Sequence, residues 1–600
     1  MGLFQKAVET YDAHRDYVGR EIEGHQVLVP VSHILARPEI EITLEQDGSF
    51  SSARLWDKSE PKIFIPATEE SGGRTSAPCP HPLCDQLCYL APYDEKKHSL
   101  YVNQLAAWAE SPYSHPMLAP ILAYVKGGTI LSDLAAAGIL TLDAGGKPAR
   151  EKALVCWRVH GIGTPRDGCW QQPSLARAFQ DWYASLQPED AQALCMITGA
   201  HVPPAKQHPK GIIPINGNAK LISANDQSGF TFRGRFTDET QAATVSYLAS
   251  QKAHNALRWV AAEQGAQAVF GGRTFLCWNP QGVRVCHAAG PFGNRDLAVT
   301  KPSDYRAELK KTLEGYRSQL PEAHSGVVVA AFDAATTGRL SLTYYNELAG
   351  SDYLQRLYDW DRYCCWFGRS SQICAPPLWQ IVNCAFGSQM TVKGEARLKT
   401  DDRVLGQQMQ RLVACRVDRA HMPYDIVQAL FHRASSPQSW ERGIWGVILS
   451  TACAVIQKYR HDVYKEECEM SVNEESRDRS YQFGRLLAVL EKVERDTYSD
   501  DEGREPNAIR LQSVYCRMPL KTAAQIEAQL EKAYFPRLQP GARSYYKMLI
   551  GQILDRIHTD TEQARWNAPL KETYLMGYYL QRKDLYTKKR ERSENNEEGN

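Results

Sequence analysis

The side chains with the clearest capacity for chemistry are three thiols and one imidazole close together in the chain: Cys79, His81, Cys84 and Cys88. Thiolate and imidazole are preferred ligands of zinc. The spacing lacks the paired Cys-x-x-Cys arms through which four ligands usually converge, and Pro80 and Pro82 stiffen the backbone between the candidate ligands. We predict buried or unreactive thiols and no metal site, and a zinc site is the alternative.

Other familiar catalytic patterns are absent from the sequence. It contains no Walker loop, no dinucleotide-binding glycine motif after a predicted strand, no His-Glu-x-x-His pair and no Gly-x-Ser-x-Gly turn. The acidic stretch 498–505 lacks the ligand pattern of a calcium loop, so we interpret it as a solvated loop. The sequence therefore predicts a protein that is not an enzyme, with no catalytic residue and no cofactor.

Composition limits the ways in which this chain could bind nucleic acid. It has 600 residues, of which 43% are hydrophobic, so it can bury more than one core. A net charge of +1 argues against coating nucleic acid through bulk charge, and any such contact must be local. The 16 cysteines, with no secretory signal and no apolar run that could span a bilayer, favour reduced thiols in a cytoplasmic protein.

The elements that must position any site change in type near residue 385. Before it, strand-like runs alternate with helical stretches, at 26–31, 39–44, 62–66, 153–159, 273–278 and 327–332. One long helix is expected at 238–264, with Thr237 as its cap. Beyond residue 385, convincing strands are absent and apolar residues recur at helical spacing, at 402–415, 424–434, 438–459, 476–497, 520–534, 541–558 and 569–588.

These patterns predict the fold class and the domain order. The fold class is an α+β N-terminal region followed by an all-α helical bundle. We place a mixed α/β region at 1–385, a helical linker region at 386–469, a bundle at 470–586 and a disordered charged tail at 587–600.

Two segments carry a resemblance to a known family: 338–352 (GRLSLTYYNELAGSD) and 573–586 (TYLMGYYLQRKDLY). The first reads as a half-buried strand followed by a helix opening at Gly350. With the stretches 72–90, 195–199, 221–230 and 273–278, in that order, the chain resembles the large subunit of the type I-C CRISPR surveillance complex, Cascade. It departs from the family at 223–230, which lacks a strand-like SFNAPAF, and at Asp85-Gln86, where the family commonly has Asp-Asn.

The resemblance implies a protein that binds nucleic acid without bond chemistry. A guide RNA reads the target by pairing, while the large subunit checks a short protospacer-adjacent motif in double-stranded DNA and helps to start strand separation. The implied partners are the guide-RNA ribonucleoprotein with its backbone and guide-processing subunits, a small subunit, and a helicase-nuclease recruited afterwards. A nucleic-acid hydrolase and an assembly scaffold without DNA contact are the alternatives.

Two groups of residues are our candidates for DNA contact. For motif recognition we choose a loop whose hydroxyl and amide groups can enter a groove, at Arg74, Thr75, Ser76 and Gln86. The alternative is an ordinary surface loop in which Arg74 forms a local ion pair. For phosphate contact we choose basic residues in a glycine-rich stretch, at Lys206, Lys210, Lys220, Arg233 and Arg235. Each of these could equally be solvated surface.

Met470 is our candidate for an internal translation start. In type I-C systems, the resemblance implies, the small subunit is made from within the large-subunit gene. Met470 precedes the predicted helix at 476–497, and codons for Lys465-Glu466-Glu467 can spell a ribosome-binding sequence. The alternative is that these residues are merely good helix formers on an exposed surface.

Overall fold

The computed structural model describes residues 2–74, 77–163, 166–187, 192–213, 215, 219–223, 244–293, 299–320, 326–336, 338–368, 371–499 and 503–597. These residues form two compact units. The first comprises Met1–Val269, Arg273–Val285 and Gly326–Glu347, and the second comprises Phe270–Gly272, Cys286–Ser325 and Leu348–Asn600. Among the described residues, no helix combines the length and apolar character needed to cross a membrane.

The first unit mixes helices and strands. Its helices are α1 (Leu3–Ala13), α2 (Glu69–Gly73), α3 (Leu87–Leu90), α4 (Glu95–Ala109), α5 (Leu118–Gly127), α6 (Ile130–Ala136), α7 (Pro173–Ser185) and α8 (Tyr247–Ala262). Its strands begin with β1 (His33–Ala36), β2 (Ile40–Leu44), β3 (Phe50–Leu55), β4 (Ile63–Pro66), β5 (Val155–Val159), β6 (Ala193–Leu194) and β7 (His201–Val202). They continue with β8 (Gln267–Phe270), β9 (Arg273–Trp278), β10 (Gly326–Thr336) and β11 (Arg339–Ala349), the last residues of β8 and β11 belonging to the second unit.

Small sheets, each with its own packing partner, organise the first unit. Strand β2 pairs with β3 antiparallel and with β5 parallel, and its alternate residues Ile40, Ile42 and Leu44 are fully buried. They share a core with residues of α4, α5 and α7. A four-stranded sheet in the order β11-β10-β9-β8 forms a second core with α1 and α8. Strand β1 pairs with β4, and it is beside these strands that the candidate site lies.

The second unit is mostly helical. Its helices are α9 (Pro302–Gln319), α10 (Gly350–Tyr363), α11 (Leu378–Phe386), α12 (Asp402–Asp418), α13 (Tyr424–Ala434), α14 (Arg442–Tyr464), α15 (Arg479–Arg495), α16 (Asn507–Arg510), α17 (Gln512–Tyr515), α18 (Pro519–Ala533), α19 (Pro540–Asp560) and α20 (Thr573–Glu597). Two short antiparallel pairs accompany them, formed by β12 (Trp366–Phe367) with β13 (Ile373–Cys374) and by β14 (Ser388–Val392) with β15 (Glu395–Lys399).

The predicted fold class is confirmed, because strands with helices precede a helical C-terminal region. The helices predicted beyond residue 400 correspond to α12, α13, α14, α15, α18, α19 and α20. The predicted boundaries at residues 385, 469 and 586 stay a prediction, since the compact units are interleaved along the chain. Helix α20 runs to Glu597, past residue 587, where a disordered tail is predicted.

Three local predictions are wrong. The stretch 26–31 forms no strand, because Leu28 makes only an isolated bridge with Val18. The helix predicted at 238–264 is not continuous, because Ser246 precedes a helix that begins at Tyr247 and its side chain accepts a hydrogen bond from the backbone of Ala249; Thr237 and residues 238–243 lie outside the described residues. Strands do occur after residue 385, since β14 and β15 form a hairpin.

Two glycines let α15 and α20 cross in close contact in the second unit. A β-carbon at Gly484 would lie 2.0 Å from the carbonyl oxygen of Tyr574, and one at Gly577 would lie 2.1 Å from that of Tyr481. Real side chains do not reach such distances, so only glycine permits this approach. Beside the crossing lies the fully buried carboxylate of Glu491. It forms ion pairs with Arg495 at 2.7 Å and with Arg582 at 3.2 Å, and it accepts a hydrogen bond from the hydroxyl of Tyr578.

We expect Gly484→Ala to lower the free energy of unfolding by about 1–3 kcal/mol, because the added methyl group must push two packed helices apart. Urea denaturation followed by circular dichroism measures this change. The matched control is Gly446→Ala, where the new methyl group meets no atom within 4 Å. In a helix that control should be stabilising by about 0.5–1 kcal/mol. Equal stabilities for the two variants would contradict the close crossing.

Candidate nucleic-acid interface

A cavity of about 680 Å³ in the first unit is lined by segments that are far apart in the chain. One wall comes from β1 and from α2, including Gly72 and Gly73. The opposite side comes from residues 207–213, from Lys220 and from one face of α8. We refer to this cavity as the basic cleft.

The charges that line the basic cleft are predominantly positive: Lys62, Lys210, Lys220 and Arg258 against the single carboxylate of Glu69. Within the described part of the chain, no acidic side chain forms an ion pair with any of these four cations. Unpaired cations around a cavity favour an anionic ligand, because such a ligand supplies the compensating charge.

Arg258 is held by backbone groups inside the cleft. Its guanidinium donates to the carbonyl oxygen of Lys210 at 3.0 Å and to the side-chain oxygen of Asn255 at 3.1 Å. Burial lowers the pKa of Arg258 to about 10. It therefore remains charged at neutral pH and supplies a fixed positive charge from α8.

Lys210 and Lys220 are brought together by backbone pairing. An isolated antiparallel bridge joins the two residues, and next to it the amide of Gly211 donates to Ala219 at 3.1 Å. Burial, together with the charge of Lys210, lowers the pKa of Lys220. The charge of Lys210 therefore acts against that of Lys220, and a bound phosphate would relieve that repulsion.

Amide side chains supply a second kind of polar group in the cleft: Gln26, Gln207, Gln251, Asn255 and Gln267. Asn255 is structural, because its amide nitrogen donates to Val29 at 3.1 Å and to Pro30 at 3.3 Å. An amide both donates and accepts hydrogen bonds, as base edges require, while cations suit phosphates. The combination fits nucleotide units better than a simple inorganic anion.

The two histidines of the cleft contribute no charge at neutral pH. Burial lowers the pKa of His33 to about 4, and burial with the nearby Lys220 lowers the pKa of His208 to about 4. Each ring is held by a hydrogen bond, His33 at 2.9 Å from the carbonyl oxygen of Val31 and His208 at 2.8 Å from the hydroxyl of Ser250. They shape the wall of the cleft, and the positive potential comes from lysine and arginine.

Glu69 makes the charge of the cleft depend on pH. Burial raises the pKa of its carboxyl group to about 7, although the backbone amide of Gln207 donates to it. Near neutral pH the group is therefore protonated in part of the molecules. The cleft becomes more positive as the pH falls through 7.

The loop predicted to read a DNA motif is closed by a buried ion pair. Arg74 donates to Asp85 at 2.6 and 2.9 Å and to the carbonyl oxygen of Cys79 at 2.9 Å, and its guanidinium lies 4.8 Å from the ring centre of Tyr89. Asp85 is fully buried and also accepts from the backbone amides of His81 and Gln86, both at 2.7 Å. The local ion pair, the alternative set out for Arg74, is therefore present. The role of Arg74 in DNA contact stays a prediction.

The structure brings together some predicted site residues and separates others. Lys210 and Lys220 line the basic cleft with Gly72 and Gly73 of the predicted loop. Lys206 is exposed and Gln86 is half-buried at the start of α3, and neither lines the cleft. Outside the described residues lie the remaining four, Thr75, Ser76, Arg233 and Arg235.

Sequence reasoning missed several residues of the cleft: Lys62, Glu69, Gln207 and Arg258. Gln207 could have been found, since it adjoins Lys206 in the stretch chosen for phosphate contact. Lys62 and Arg258 gave no signal, because one is the first residue of the strand predicted at 62–66 and the other occupies a predicted helix, where exposed cations are common.

The thiol and imidazole cluster does not converge. The sulfur of Cys84 lies 3.4 Å from that of Cys169, and a ring nitrogen of His81 lies 2.9 Å from the hydroxyl of Ser71. Burial raises the pKa of Cys84, which keeps the thiol protonated. Among the residues that the structure describes, no group of three or more His, Cys, Asp or Glu is arranged to hold a metal ion.

Comparison with known proteins places nearly the whole chain in one family. A family model described as CRISPR-associated protein (Cas_Csd1) matches residues 8–586. No curated protein matches the chain.

We expect Glu69→Gln to change how stability depends on pH. An unfolded Glu69 loses its proton near the ordinary value of 4.5, whereas the folded protein retains it up to about 7. Between these values the folded state binds more protons, so the free energy of unfolding of the unsubstituted protein falls as pH rises. Urea titrations at pH 5 and pH 8 should show a fall larger by about 1–3 kcal/mol than in the variant. The control is Glu70→Gln at the exposed neighbouring residue, which should keep the pH dependence of the unsubstituted protein. If Glu70→Gln instead showed the same pH profile as Glu69→Gln, the raised pKa would not belong to Glu69.

Proposed function

Because the chain belongs to the Cas_Csd1 family of CRISPR-associated proteins, we propose that it is the non-catalytic large subunit of a type I-C Cascade. In this role it recognises the protospacer-adjacent motif in double-stranded DNA, promotes unwinding and R-loop formation, and helps to recruit the helicase-nuclease. The observation that carries the proposal is the basic cleft, which combines four cations with amide side chains.

The basic cleft supports contact with both parts of a nucleotide. Lys210, Lys220 and Arg258 would neutralise phosphates, which gives affinity without sequence information. Amides such as Gln207 and Gln251 would exchange hydrogen bonds with base edges, which gives specificity. A subunit that checks a short motif needs both kinds of contact in one place.

The charge distribution also favours a local contact. The chain carries 70 basic and 69 acidic residues, so its overall field attracts DNA weakly. The cleft gathers four cations around a single carboxylate, that of Glu69. A protein of this kind would bind DNA at the cleft when the assembled complex brings DNA there, and most of its surface would not bind nucleic acid.

The other predicted residues take supporting roles in the proposal. Arg74 acts as a positioning residue, because its pair with Asp85 fixes the loop that continues from Gly72 and Gly73. Thr75, Ser76 and Gln86 remain candidates for motif reading. Lys206, Arg233 and Arg235 remain candidates for phosphate contact.

The proposal includes the partners that a guide complex requires. These are double-stranded target DNA, the guide-RNA ribonucleoprotein with its backbone and guide-processing subunits, and the helicase-nuclease. The complex would act in the cytoplasm, where invading DNA is met. A small subunit completes the set.

Met470 remains our candidate start for that small subunit. The segment that follows it contains α15 to α20, in which α15 and α20 cross at Gly484 and Gly577. The same two helices share the buried charges around Glu491. These internal contacts favour a segment that can form a core of its own.

We expect the double variant Lys210→Ala/Lys220→Ala to weaken binding of a labelled target duplex by the assembled complex about tenfold or more. The plot of log Kd against log salt should lose about two units of slope, because two phosphate contacts disappear. Fluorescence anisotropy at four salt concentrations measures both quantities. The duplex carries the guide's target with randomised flanking bases.

The matched control for this experiment is Lys310→Ala/Lys311→Ala, two exposed lysines on α9. It removes the same charge and should leave affinity and salt slope unchanged. Equal behaviour of the two double variants would overturn the cleft as the DNA site. A complex that assembles on guide RNA but binds no duplex would instead favour the scaffold alternative, and a duplex cut by the subunit alone would favour a hydrolase.

We expect a C-terminally tagged gene to yield a second, shorter product beginning at Met470. Met470→Leu should remove that product while leaving the full chain, since leucine fits the buried position with little change of volume. Immunoblotting for the tag reports both species. Met518→Leu, at an exposed methionine further along, is the control and should change neither band. The absence of a short product from the unsubstituted gene would contradict the internal start.

A further inference from the structure

A two-stranded ribbon on the second unit presents one face entirely to solvent. Strands β14 and β15 pair from Ser388 opposite Lys399 to Val392 opposite Glu395. Because side chains alternate along a strand, every second residue shares a face. All six side chains of the outer face are exposed: Ser388, Met390, Val392, Glu395, Arg397 and Lys399. We refer to this surface as the ribbon face.

The ribbon is anchored at its base and closed by a tight turn. The Gln389 side chain donates to the carboxylate of Glu441 at 3.0 Å and accepts from the Glu441 amide at 3.1 Å. The turn residues Lys393 and Gly394 have φ angles of 52° and 81°. Positive values at both positions are typical of the hairpin turn whose twist matches paired strands. The ribbon is therefore a defined projection on the helical unit.

The ribbon face carries apolar side chains on β14 and charged side chains on β15. Met390 and Val392 are 42% and 37% exposed. Three basic side chains accompany them, Lys393 at the tip and Arg397 and Lys399 on β15, against one acidic side chain, Glu395. Glu395 pairs with Arg397 at 2.7 Å, but a pair this exposed contributes little. In the described part of the chain, no acidic side chain forms an ion pair with Lys393 or Lys399.

We propose that the ribbon face binds duplex DNA and is a second nucleic-acid contact, on a different unit from the basic cleft. This inference rests on the proposed function, which brings a duplex to the protein. Five residues per strand span about 17 Å, and a two-stranded ribbon fits the major groove, which is about 12 Å wide. Lys393, Arg397 and Lys399 then contact phosphates, while Met390 and Val392 contact base edges and thymine methyl groups.

The charge of the ribbon face favours DNA over a protein partner. Protein interfaces usually exclude lysine from the centre of the contact. Lys399 and Lys393 lie at the two ends of the row that contains Met390 and Val392, so a protein docked there would bury ammonium groups without an ion pair, at a cost. A phosphate backbone supplies the missing negative charge on both sides of a groove.

The first test is site-specific cross-linking in the assembled complex bound to a fluorescein-labelled target duplex. The photoreactive residue p-benzoylphenylalanine replaces Val392 on the ribbon face or, as control, Thr391 on the opposite face; both positions are exposed. We expect labelled DNA to be captured from position 392 and not from 391. Capture of protein alone from position 392, whether another subunit or a second copy of this chain, would overturn the proposal.

The second test is the triple variant Lys393→Ala/Arg397→Ala/Lys399→Ala in the same complex. We expect duplex affinity to fall at least fivefold and the salt slope to decrease by about two to three units. Unchanged affinity, with the Lys210→Ala/Lys220→Ala variant impaired, would refute the ribbon contact and leave the proposed function standing. Failure of the unsubstituted complex to bind the duplex would refute both.

Discussion

The architecture around the candidate site depends on the ion pair between the buried carboxylate of Asp85 and Arg74. A fully buried charge is unfavourable unless it is paired and hydrogen-bonded. Asp85 meets this requirement through Arg74 and through two backbone amides of its own loop. Within the same loop, His81 contacts the hydroxyl of Ser71, which belongs to α2. Because α2 ends at Gly72 and Gly73, this network fixes the wall that faces the cations of the cleft.

The second unit satisfies the same physical requirement in another way. Glu491 is fully buried, and burial alone would raise its pKa, but Arg582, the Tyr578 hydroxyl and Arg495 lower the pKa and hold it ionised. The glycine crossing brings α15 and α20 close enough for these groups to meet. Charge compensation and close packing therefore act together. A wider separation would remove Arg582 and the Tyr578 hydroxyl and leave the carboxylate paired only with Arg495 of its own helix.

A nearly neutral protein can still contact DNA if its charges are sorted locally. Many basic side chains of the protein form ion pairs with acidic neighbours, as Arg411 does with Asp425. The basic cleft and the ribbon differ, because no described acidic side chain forms an ion pair with the four cations of the cleft or with Lys393 and Lys399 of the ribbon. Local sorting of this kind gives salt-sensitive contacts at chosen places without attraction over the whole surface.

The sequence by itself determined the elements whose cause is local. Apolar spacing located α12 to α15 and α18 to α20, because apolar residues recur at the helical period in the sequence of each one. Short strand-like runs located β2, β5 and β9. The order of short motifs indicated a CRISPR-associated protein, and the family match over residues 8–586 supports that assignment. The absence of strands beyond residue 385 was wrong, because the turn at Lys393 and Gly394 depends on two left-handed residues that periodicity does not report.

Only the tertiary structure decided which residues share a site. Lys62 and Arg258 reach the basic cleft from a strand margin and a helix that are far apart in the sequence, so no spacing could pair them with Lys210. The tertiary structure also decided that Arg74 forms an ion pair with Asp85. Side-chain identity states what a residue can do, whereas burial and neighbouring charges decide which of those interactions it makes.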